Sequence, residues 1–554
     1  MRIQMPIGIS DYKEAKEGYY VIDKTDFIRK LLDNHKKVTL FTRPRRFGKT
    51  LTMSMLDYFF SIDKKEESKN LFSGLAIERA GTAYMAQRGT YPVIFLTLKG
   101  VLSDTWEEEY GLFTFFIQQE YMKHGYLWQS ETLNPLEKAY YERIASGTAK
   151  PFEYQVSLLQ LTKFLARHFK KQPIVLIDEY DVPLQGAYQY GFYDKAITFF
   201  RGWYANTLKD NSALHFAVLT GVLRIAKESI FSGLNNLDVY SVLANEYSDV
   251  FGFTTAEVAQ IAADLQVEDK VQELKQWYDG YTFGQTEIYN PWSVIQYMSK
   301  QCVPAPYWIR TSDNGILRHL LHQATAIQIA DLERLLQGKT VAASVNDNVV
   351  YRTLAGEQKA LYTLLLTTGY LTVDKTIDYA DSRYLLRIPN EEIKRVYRLE
   401  ILDTVAKHLD RDTFEDLFDS LLAGKTESFA LTLQHIVKQF VSTYDTAQPE
   451  SFYHGFMLGM TALFLTKNYT VESNRESGYG RFDVAIFPRD VTKAGVILEF
   501  KIAKSEKELE AKANEALQQI REKSYITAFE KRQIARVWTY GIAFYGKHVT
   551  VVSG

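Results

Sequence analysis

The segment from Lys37 to Thr50 constrains the fold of this chain more than any other. It reads KVTLFTRPRRFGKT: an apolar, β-branched stretch, a short basic loop, and a Gly-Lys-Thr triplet that opens a helix predicted from Leu51 to Phe60. A strand that turns through a tight loop into a helix gathers backbone N–H groups around one point, and the helix N-terminus adds its dipole. The sequence therefore predicts a phosphate-binding loop within an α/β fold.

Three residues of this loop are expected to bind ATP and Mg²⁺. Gly48 and Lys49 lie at the phosphates, with Lys49 reaching the β- and γ-phosphates, and the Thr50 hydroxyl ligates Mg²⁺. The usual pattern has a further glycine at the start of the loop, where this chain has an Arg-Pro pair. The next two residues are also basic, and the only evident ligand of the loop is anionic. Arg45 or Arg46 is therefore expected to contact the nucleotide or an adjacent subunit, and we place Arg46 in the nucleotide site.

A second segment indicates the same chemistry. Residues 173–181 read PIVLIDEYD, an apolar run that ends in acidic residues. Such a run is typical of a buried parallel strand with carboxylates at its carboxyl tip, where ligands of open α/β sheets bind. Asp178 is then placed to hold Mg²⁺ through water, and Glu179 to polarise the attacking water. Taken alone, the segment is equally compatible with a core strand and an acidic turn. The Gly-Lys-Thr triplet upstream favours nucleotide binding.

Two further apolar, β-branched runs, at 91–98 and 214–220, predict additional strands of the same sheet. In ATPases with an extra strand between the two phosphate motifs, the tip of that strand carries a γ-phosphate sensor. Thr220 and Arg224 are therefore candidate nucleotide contacts. The alternative for Arg224 is an exposed arginine after a strand.

Composition excludes several classes of protein. The chain has 554 residues, is 46% hydrophobic and 24% charged, and carries a net charge of −2, so it is neither disordered nor strongly basic. Its one cysteine, Cys302, excludes an internal disulfide framework and fits a reducing cytosol. No apolar run approaches the roughly 18 residues that a membrane-spanning helix needs, and the N-terminus does not read as a signal peptide. We expect a cytoplasmic protein without membrane contact.

The order of motifs predicts four regions. Residues 1–245 form a P-loop ATPase-like domain with a helical insertion between its two phosphate motifs. Residues 246–400 form a helical and winged-helix-like lid, because helix-like sequence up to residue 368 is followed by two strand-like runs at the end of the region. The alternative for this unit is DNA binding, and a lid or packing module is favoured because residues 358–364 are not notably basic. Residues 401–448 are a helical connector, and residues 449–554 form a separate α/β domain.

The last region carries a second constellation of polar residues. Two strand-like runs around Asp483 and Glu499 are separated by a short polar turn, which predicts an antiparallel hairpin. Side chains two apart on a strand share a face, so Glu499 and Lys501 point the same way, and Asp483 can meet them. Two carboxylates and a lysine can bind Mg²⁺ or Mn²⁺ and cleave a phosphodiester. A surface ion pair between Glu499 and Lys501 is the alternative.

The helix predicted after this hairpin, from Glu506 to Lys523, supplies further candidates. Gln518 and Gln519 lie on it and Tyr525 lies just after it. Such groups often line the same pocket in nucleases of this type.

Taken together, these motifs resemble those of the AAA-ATPase-like family of bacterial and archaeal proteins, joined to a PD-(D/E)XK nuclease-like domain. The matching motifs are those at 23–25 (DKT), 43–50 (RPRRFGKT), 177–181 (IDEYD), 277–281 (WYDGY) and 289–293 (YNPWS), and, for the nuclease-like domain, those at 473–483 (SNRESGYGRFD) and 499–501 (EFK). The family typically has Arg-Pro in place of the first glycine of the loop. The resemblance also implies that Pro291, in the lid, lies against the adenine base.

The expected function is ATP binding and hydrolysis that regulates a C-terminal metal-dependent nuclease-like domain acting on DNA or RNA. Two alternatives remain open. In one, the protein is a nucleotide-dependent switch whose C-terminal domain is inactive and binds nucleic acid or protein. In the other, it is a slow signalling ATPase whose output is oligomerisation.

Overall fold

The structure is a computed structural model that divides into two compact units. One unit consists of residues 1–312 and 342–393, and the other of residues 313–341 and 394–554. The structure describes residues 4–224, 236–308, 326–336, 338–345, 358–397, 411–443, 469–477, 480–523 and 525–554. The sequence also predicts a helix at 316–325, within the region 246–400, and this range lies outside the described residues. Among the described residues, no helix is long and apolar enough to cross a membrane.

A five-stranded parallel sheet forms the centre of the first unit. Its strands are β1 (Val38–Thr42), β2 (Val93–Thr97), β3 (Ile174–Asp178), β4 (Ala217–Gly221) and β5 (Leu237–Tyr240), in the spatial order β2-β3-β4-β1-β5. Every residue of β1, β3 and β4 is buried, as expected for a parallel sheet covered on both faces. The predicted α/β fold with a parallel sheet is confirmed. Because β4 lies between β1 and β3, the ends of these three strands share one edge.

Helices surround this sheet and fill the long connection between β2 and β3. They are α1 (Tyr12–Gly18), α2 (Asp26–Asn34), α3 (Lys49–Phe60), α4 (Ala76–Arg79), α5 (Thr82–Met85), α6 (Trp106–Lys123), α7 (Pro135–Ala145), α8 (Pro151–Gln155), α9 (Ser157–Phe169), α10 (Val182–Tyr190) and α11 (Tyr193–Leu208). Between α8 and α9 the helical text is interrupted at Val156, whose φ is −109° and ψ is 7°. This part of the predicted helical insertion therefore contains two helices.

A group of smaller elements follows the sheet in sequence. They are β6 (Phe253–Thr254), α12 (Thr255–Asp264), α13 (Val271–Tyr278), β7 (Tyr281–Phe283), β8 (Thr286–Tyr289), α14 (Pro291–Ser299), α15 (Ala326–Leu336), β9 (Val341–Ser344), α16 (Gln358–Thr367), β10 (Thr372–Asp378) and β11 (Arg383–Arg387). The strands make two three-stranded sheets, β6-β8-β7 and β10-β11-β9. The helix followed by a hairpin that the sequence predicts corresponds to α16, β10 and β11. Its role as a winged-helix lid stays a prediction.

The second unit contains a mixed five-stranded sheet. Its elements are α17 (Arg411–Leu422), α18 (Thr426–Thr443), β12 (Tyr469–Ser477), β13 (Gly480–Pro488), β14 (Gly495–Ile502), α19 (Leu509–Glu522), α20 (Thr527–Glu530), β15 (Val537–Tyr545) and β16 (His548–Ser553). Strands follow one another in space in chain order. β13 and β14 are antiparallel, whereas β14 and β15 are parallel and are joined through α19. The predicted hairpin is therefore present.

The helices α17 and α18, which the sequence places in a connector, pack against this sheet. The indole of Trp538 and the hydroxyl of Tyr540 on β15 donate to the carbonyl oxygens of Leu422 and Leu421, each at 3.2 Å. On α18, the Gln434 amide donates to the Lys547 carbonyl oxygen at 2.6 Å. These bonds join residues more than 100 positions apart, so sequence periodicity alone does not reveal them.

Candidate nucleotide and metal sites

The phosphate-binding loop joins β1 to α3. Gly48 is the N-cap of α3 and has a φ of 83°, a left-handed conformation that favours glycine. Lys49 begins the helix and is only 4% exposed. Its ammonium group donates to the carbonyl oxygens of Arg43, at 3.1 Å, and Pro44, at 3.0 Å. Burial lowers the pKa of Lys49, and the negative charges of Glu179 and Asp178 oppose this shift. The Lys49 side chain therefore bends back and binds carbonyl oxygens of its own loop, at the carboxyl edge of the sheet.

Asp178, at the tip of β3, brings together two of the predicted hydroxyl groups. Its Oδ2 accepts a hydrogen bond from Thr50 Oγ1 at 2.7 Å, and its Oδ1 accepts one from Thr220 Oγ1 at 2.5 Å. Burial raises the pKa of Asp178, while these two hydrogen bonds act in the opposite direction. Residues from α3, β3 and β4 therefore meet at one carboxylate.

Glu179 follows Asp178 in an unusual backbone conformation. Its φ is 55°, a left-handed conformation that is uncommon for a residue other than glycine. Its backbone N–H donates to Thr220 Oγ1 at 3.4 Å, and the next N–H, of Tyr180, donates to the Thr220 carbonyl oxygen at 2.9 Å. The turn after β3 is thus fastened to the tip of β4, and Glu179 stays half-buried beside Asp178.

Asp181 is a further acidic residue of this segment to which the sequence assigned no role. It is 1% exposed, and its Oδ2 accepts hydrogen bonds from the N–H groups of Val222, at 2.9 Å, and Leu223, at 2.8 Å. It fixes the turn that follows β4 and leads to Arg224. Among the described residues, the guanidinium Nε of Arg224 is buried without a hydrogen-bond partner. In the sequence, the only signal for Asp181 was its position as the last acidic residue of the IDEYD motif.

Arg43 takes the position of the missing glycine, and it points away from the phosphate-binding side of the loop. Its fully buried guanidinium donates to the carbonyl oxygens of Tyr240, at 2.7 Å, and Tyr247, at 3.0 Å. The rings of Phe251 and Phe283 lie 5.5 and 5.2 Å from its central carbon. Arg43 is not among the residues with positive φ, so this position does not need glycine. Arg43 ties the loop to the segment that follows β5.

The other two arginines are half-buried, and neither extends freely into solvent. Arg45 donates to the Gln185 side chain on α10 at 3.0 Å. Arg46 has a φ of 70°, and its guanidinium lies 4.5 Å from the ring centroid of Trp292. Pro291, the residue before Trp292, is buried as the first residue of α14, whose N-terminus is capped by Asn290.

Elements after residue 246 contact the loop at successive positions. The Trp308 indole donates to the Arg45 carbonyl oxygen at 3.3 Å, and the Gly252 N–H donates to the Phe47 carbonyl oxygen at 3.2 Å. The Phe47 ring lies 5.1 Å from the ring of Tyr281. Tyr281 lies in a motif that the resemblance singled out, but no pattern in the sequence indicated Trp308. The loop that has Arg-Pro in place of the first glycine is therefore also the loop that these later elements contact.

In the second unit, Asp483 on β13 lies beside Glu499 on β14. The Asp483 N–H donates to Glu499 Oε2 at 3.2 Å, and the Phe500 N–H donates to Asp483 Oδ2 at 2.8 Å. Burial and, to a lesser extent, the charge of Asp483 raise the pKa of Glu499 to about 7. Burial also raises the pKa of Asp483. The charge of Asp483 thus disfavours the ionisation of Glu499, as a nearby carboxylate does when two such groups share a site.

Gln519 on α19 links Glu499 to Lys501. Its side-chain oxygen accepts a hydrogen bond from the Lys501 ammonium at 2.6 Å, and its amide nitrogen donates to Glu499. The same nitrogen lies 3.2 Å from the Tyr525 hydroxyl. Gln518 instead donates to Glu522 at an exposed position. The structure therefore brings Asp483, Glu499, Lys501, Gln519 and Tyr525 together, and leaves Gln518 outside.

Gly541 allows this arrangement, and sequence reasoning missed it. It is the register partner of Glu499 on the parallel strand β15. A Cβ atom at this position would collide with the Ala513 carbonyl oxygen and come within 2.6 Å of the Leu517 backbone nitrogen. The absence of a side chain lets α19 pack directly on β15, which places Gln519 over Glu499.

Each site offers a small set of oxygen donors to a metal ion. Within the described part of the chain, no three or more His, Cys, Asp or Glu side chains are grouped so that they could hold a metal. The first site offers Thr50 and Asp178, and the second offers Asp483 and Glu499. Mg²⁺ commonly keeps several water ligands and binds one or two carboxylates together with substrate phosphates. Both donor sets fit this pattern, in which oxygen atoms of the substrate complete the coordination of the metal.

Two known families match the parts of the chain that contain these residues. Residues 6–231 match the family model described as a predicted AAA-ATPase, and residues 448–554 match that of the PD-(D/E)XK nuclease superfamily. The chain therefore contains an AAA-ATPase-like domain followed by a PD-(D/E)XK nuclease-like domain. It is also similar to a protein of Azotobacter chroococcum mcd 1 described as "Uncharacterized protein in vnfD 5'region". The two are 26% identical over 543 residues, which cover 96% of this chain and 94% of the relative.

Proposed function

We propose that this protein hydrolyses ATP and that its nucleotide state regulates a metal-dependent nuclease activity of the C-terminal domain. The observation that carries the proposal is the meeting of Thr50, Thr220 and the helix N-terminus at Asp178. A hydroxyl and a buried carboxylate beside an anion-binding backbone are the groups that nucleotide phosphates with Mg²⁺ require.

At the first site, the protein groups have separable roles. Phosphate oxygens would replace the loop carbonyl groups as partners of the Lys49 ammonium. Thr50 and, through water, Asp178 would hold Mg²⁺, which neutralises charge on the β- and γ-phosphates. Glu179 would orient a water molecule whose oxygen attacks the γ-phosphorus, while the bond to the bridging oxygen breaks and its electron pair leaves with ADP. Thr220 would sense the γ-phosphate, and Pro291 would lie against the adenine.

At the second site, Asp483 and Glu499 would hold Mg²⁺ or Mn²⁺ beside a phosphodiester of DNA or RNA. The metal supplies Lewis acidity and a water nucleophile. Lys501 would stabilise the negative charge that develops on the phosphate, and Gln519 would hold Lys501 and Glu499 in place. The pairing of two phosphate-chemistry sites in one chain supports regulation of one by the other.

One observation favours a second candidate, in which the C-terminal domain binds without cleaving. Glu499 is 2% exposed, and both of its carboxylate oxygens already accept hydrogen bonds, from Asp483 and Gln519. A pocket occupied by its own side chains would suit a nucleotide-dependent switch that holds nucleic acid or protein.

Two activities of purified protein test the proposal. ATP turnover is expected in the wild type and not in Lys49→Ala, which should lose ATP binding as well. Cleavage of DNA or RNA in Mn²⁺ or Mg²⁺ is expected in the wild type and not in Lys501→Ala or Asp483→Asn. Gln518→Ala is a matched control, because this side chain lies outside the second site.

The outcomes separate the candidates. Absence of ATP turnover with equal ATP affinity in wild type and Lys49→Ala would refute the first site. ATP turnover without cleavage, combined with nucleic-acid binding that Lys501→Ala weakens, would favour the nucleotide-dependent switch.

A further inference from the structure

Arg46 occupies an unusual place beside the nucleotide site. It lies two residues before Gly48 and has a left-handed backbone, which a side chain other than glycine adopts at a cost of about 1 kcal/mol or more. Its guanidinium stacks on the ring of Trp292, 4.5 Å from the ring centroid. The structure thus holds a cation next to the phosphate-binding loop through an aromatic residue of α14.

The charges around Arg46 belong to the same site. Burial lowers its pKa, while the negative charge of Glu179 raises it. Glu179 also acts on the ammonium of Lys49. Glu179 therefore attracts both Arg46 and Lys49, two cations of the loop that joins β1 to α3, where the γ-phosphate is expected.

Trp292 is itself held in place. Its indole nitrogen donates to the Tyr307 carbonyl oxygen at 3.3 Å. It belongs to the first turn of α14, where the Asn290 side chain accepts a hydrogen bond from the Ser293 N–H at 3.3 Å. Trp292 is also partly buried against a hydrophobic cluster that includes Trp277, and this packing restricts the movement of its ring.

We propose that Arg46 is an arginine finger supplied by the same chain, and that Trp292 is the positioning residue that keeps it at the γ-phosphate. This inference rests on the ATPase proposed above and adds the source of the transition-state cation. In hydrolysis, negative charge spreads over the γ-phosphoryl oxygens and the bridging oxygen as the bond to ADP breaks. A guanidinium with several N–H donors stabilises that charge. Because stacking on the Trp292 ring already orients the guanidinium, less side-chain entropy is lost when it binds the transition state.

Kinetics of Arg46 and Trp292 variants test the two roles. Arg46→Ala should lower kcat by at least about 100-fold with KM for ATP nearly unchanged, since an arginine finger acts mainly in the transition state. Trp292→Leu should lower kcat about 3- to 30-fold, the range of a cation–π contact, whereas Trp292→Phe should retain most activity because it keeps a ring face. Both Trp292 replacements are apolar, and unchanged ATP affinity would show that the site is folded.

Matched controls remove comparable groups elsewhere. Arg167→Ala deletes another arginine that stacks on an aromatic ring, Phe164, on α9. Trp128→Ala deletes a tryptophan that is 44% exposed. Both should keep the wild-type kcat.

A mixing experiment tests whether the finger acts within its own chain. Arg46→Ala retains the phosphate-binding lysine, and Lys49→Ala retains the finger. A finger supplied by a neighbouring chain would restore turnover in the mixture. We expect the mixture to show only the sum of the two separate activities, and restored turnover would overturn the proposal.

Binding of ADP with aluminium fluoride, a mimic of the transferring phosphoryl group, separates this inference from the proposed ATPase. The wild type should bind the mimic more tightly than ADP alone, and Arg46→Ala and Trp292→Leu should lose most of that preference. If wild-type turnover is absent, the ATPase proposal fails, while this measurement still judges Arg46. An undiminished preference in Arg46→Ala, or equal kcat in Trp292→Leu and wild type, would refute the inference.

Discussion

Replacing Arg43 by the glycine that is usual at this position of the loop should lower the stability of the protein. The Arg43 guanidinium donates to the buried carbonyl oxygens of Tyr240 and Tyr247, and Arg43→Gly leaves both without these donors. Each carbonyl oxygen left without a partner costs about 1–3 kcal/mol. Lost contact with the rings of Phe251 and Phe283 adds about 1–2 kcal/mol.

Two effects offset part of this cost. The buried guanidinium carries a desolvation penalty, and its Nε has no hydrogen-bond partner within the described part of the chain. The net loss of unfolding free energy is therefore expected to be about 2–5 kcal/mol, which corresponds to a fall in Tm of about 3–7 °C for a unit of this size.

Differential scanning fluorimetry with and without ATP measures this effect. Arg79→Gly is a suitable control, because its side chain is 66% exposed and it should change stability by less than about 1 kcal/mol. If Arg43→Gly were as stable as the wild type and bound ATP more tightly, the structural role of Arg43 would be wrong.

Three further changes have definite expected outcomes. Glu179→Gln should keep ATP affinity within about 3-fold while lowering turnover at least about 100-fold, as titration calorimetry and a phosphate-release assay would show. Gly541→Ala should force α19 away from β15, lower the unfolding free energy by about 1–3 kcal/mol in denaturant melts and reduce cleavage, whereas Gly111→Ala, in an open helical position, should be neutral or stabilising. Burial in α6 raises the pKa of Glu109 to about 8 from an ordinary value of 4.5, so the stabilisation from its protonated form is present below pH 4.5 and is lost as pH rises to about 8. Urea melts at pH 6 and pH 9 should show a loss of about 2–4 kcal/mol in the wild type that is smaller in Glu109→Gln.

Much of the first site could be predicted from local sequence. Lys49 and Thr50 open a helix directly after a strand, and Asp178 and Thr220 end strands. Parallel strands bring such ends to one edge of a sheet, so position in the chain was enough to bring these residues together. The alternation of side chains on β14 similarly placed Glu499 and Lys501 on one face.

The remaining features depend on contacts between residues distant in sequence. The direction of Arg43 is set by carbonyl oxygens some 200 residues later, and Arg46 meets Trp292 across a similar separation. Local pattern carries no information about such pairs. Gly541 resembles any other glycine in a strand until the approach of α19 is known.

The rate of nucleic-acid cleavage under different nucleotide conditions tests the central claim most directly. It should be measured with no nucleotide, with ATP and with a non-hydrolysable ATP analogue, in the wild type and in Lys49→Ala, at constant free Mn²⁺. The account predicts a rate that depends on nucleotide in the wild type and is the same under all three conditions in Lys49→Ala. Cleavage by the wild type at one rate under all three conditions would contradict the claim that the nucleotide state regulates the C-terminal domain.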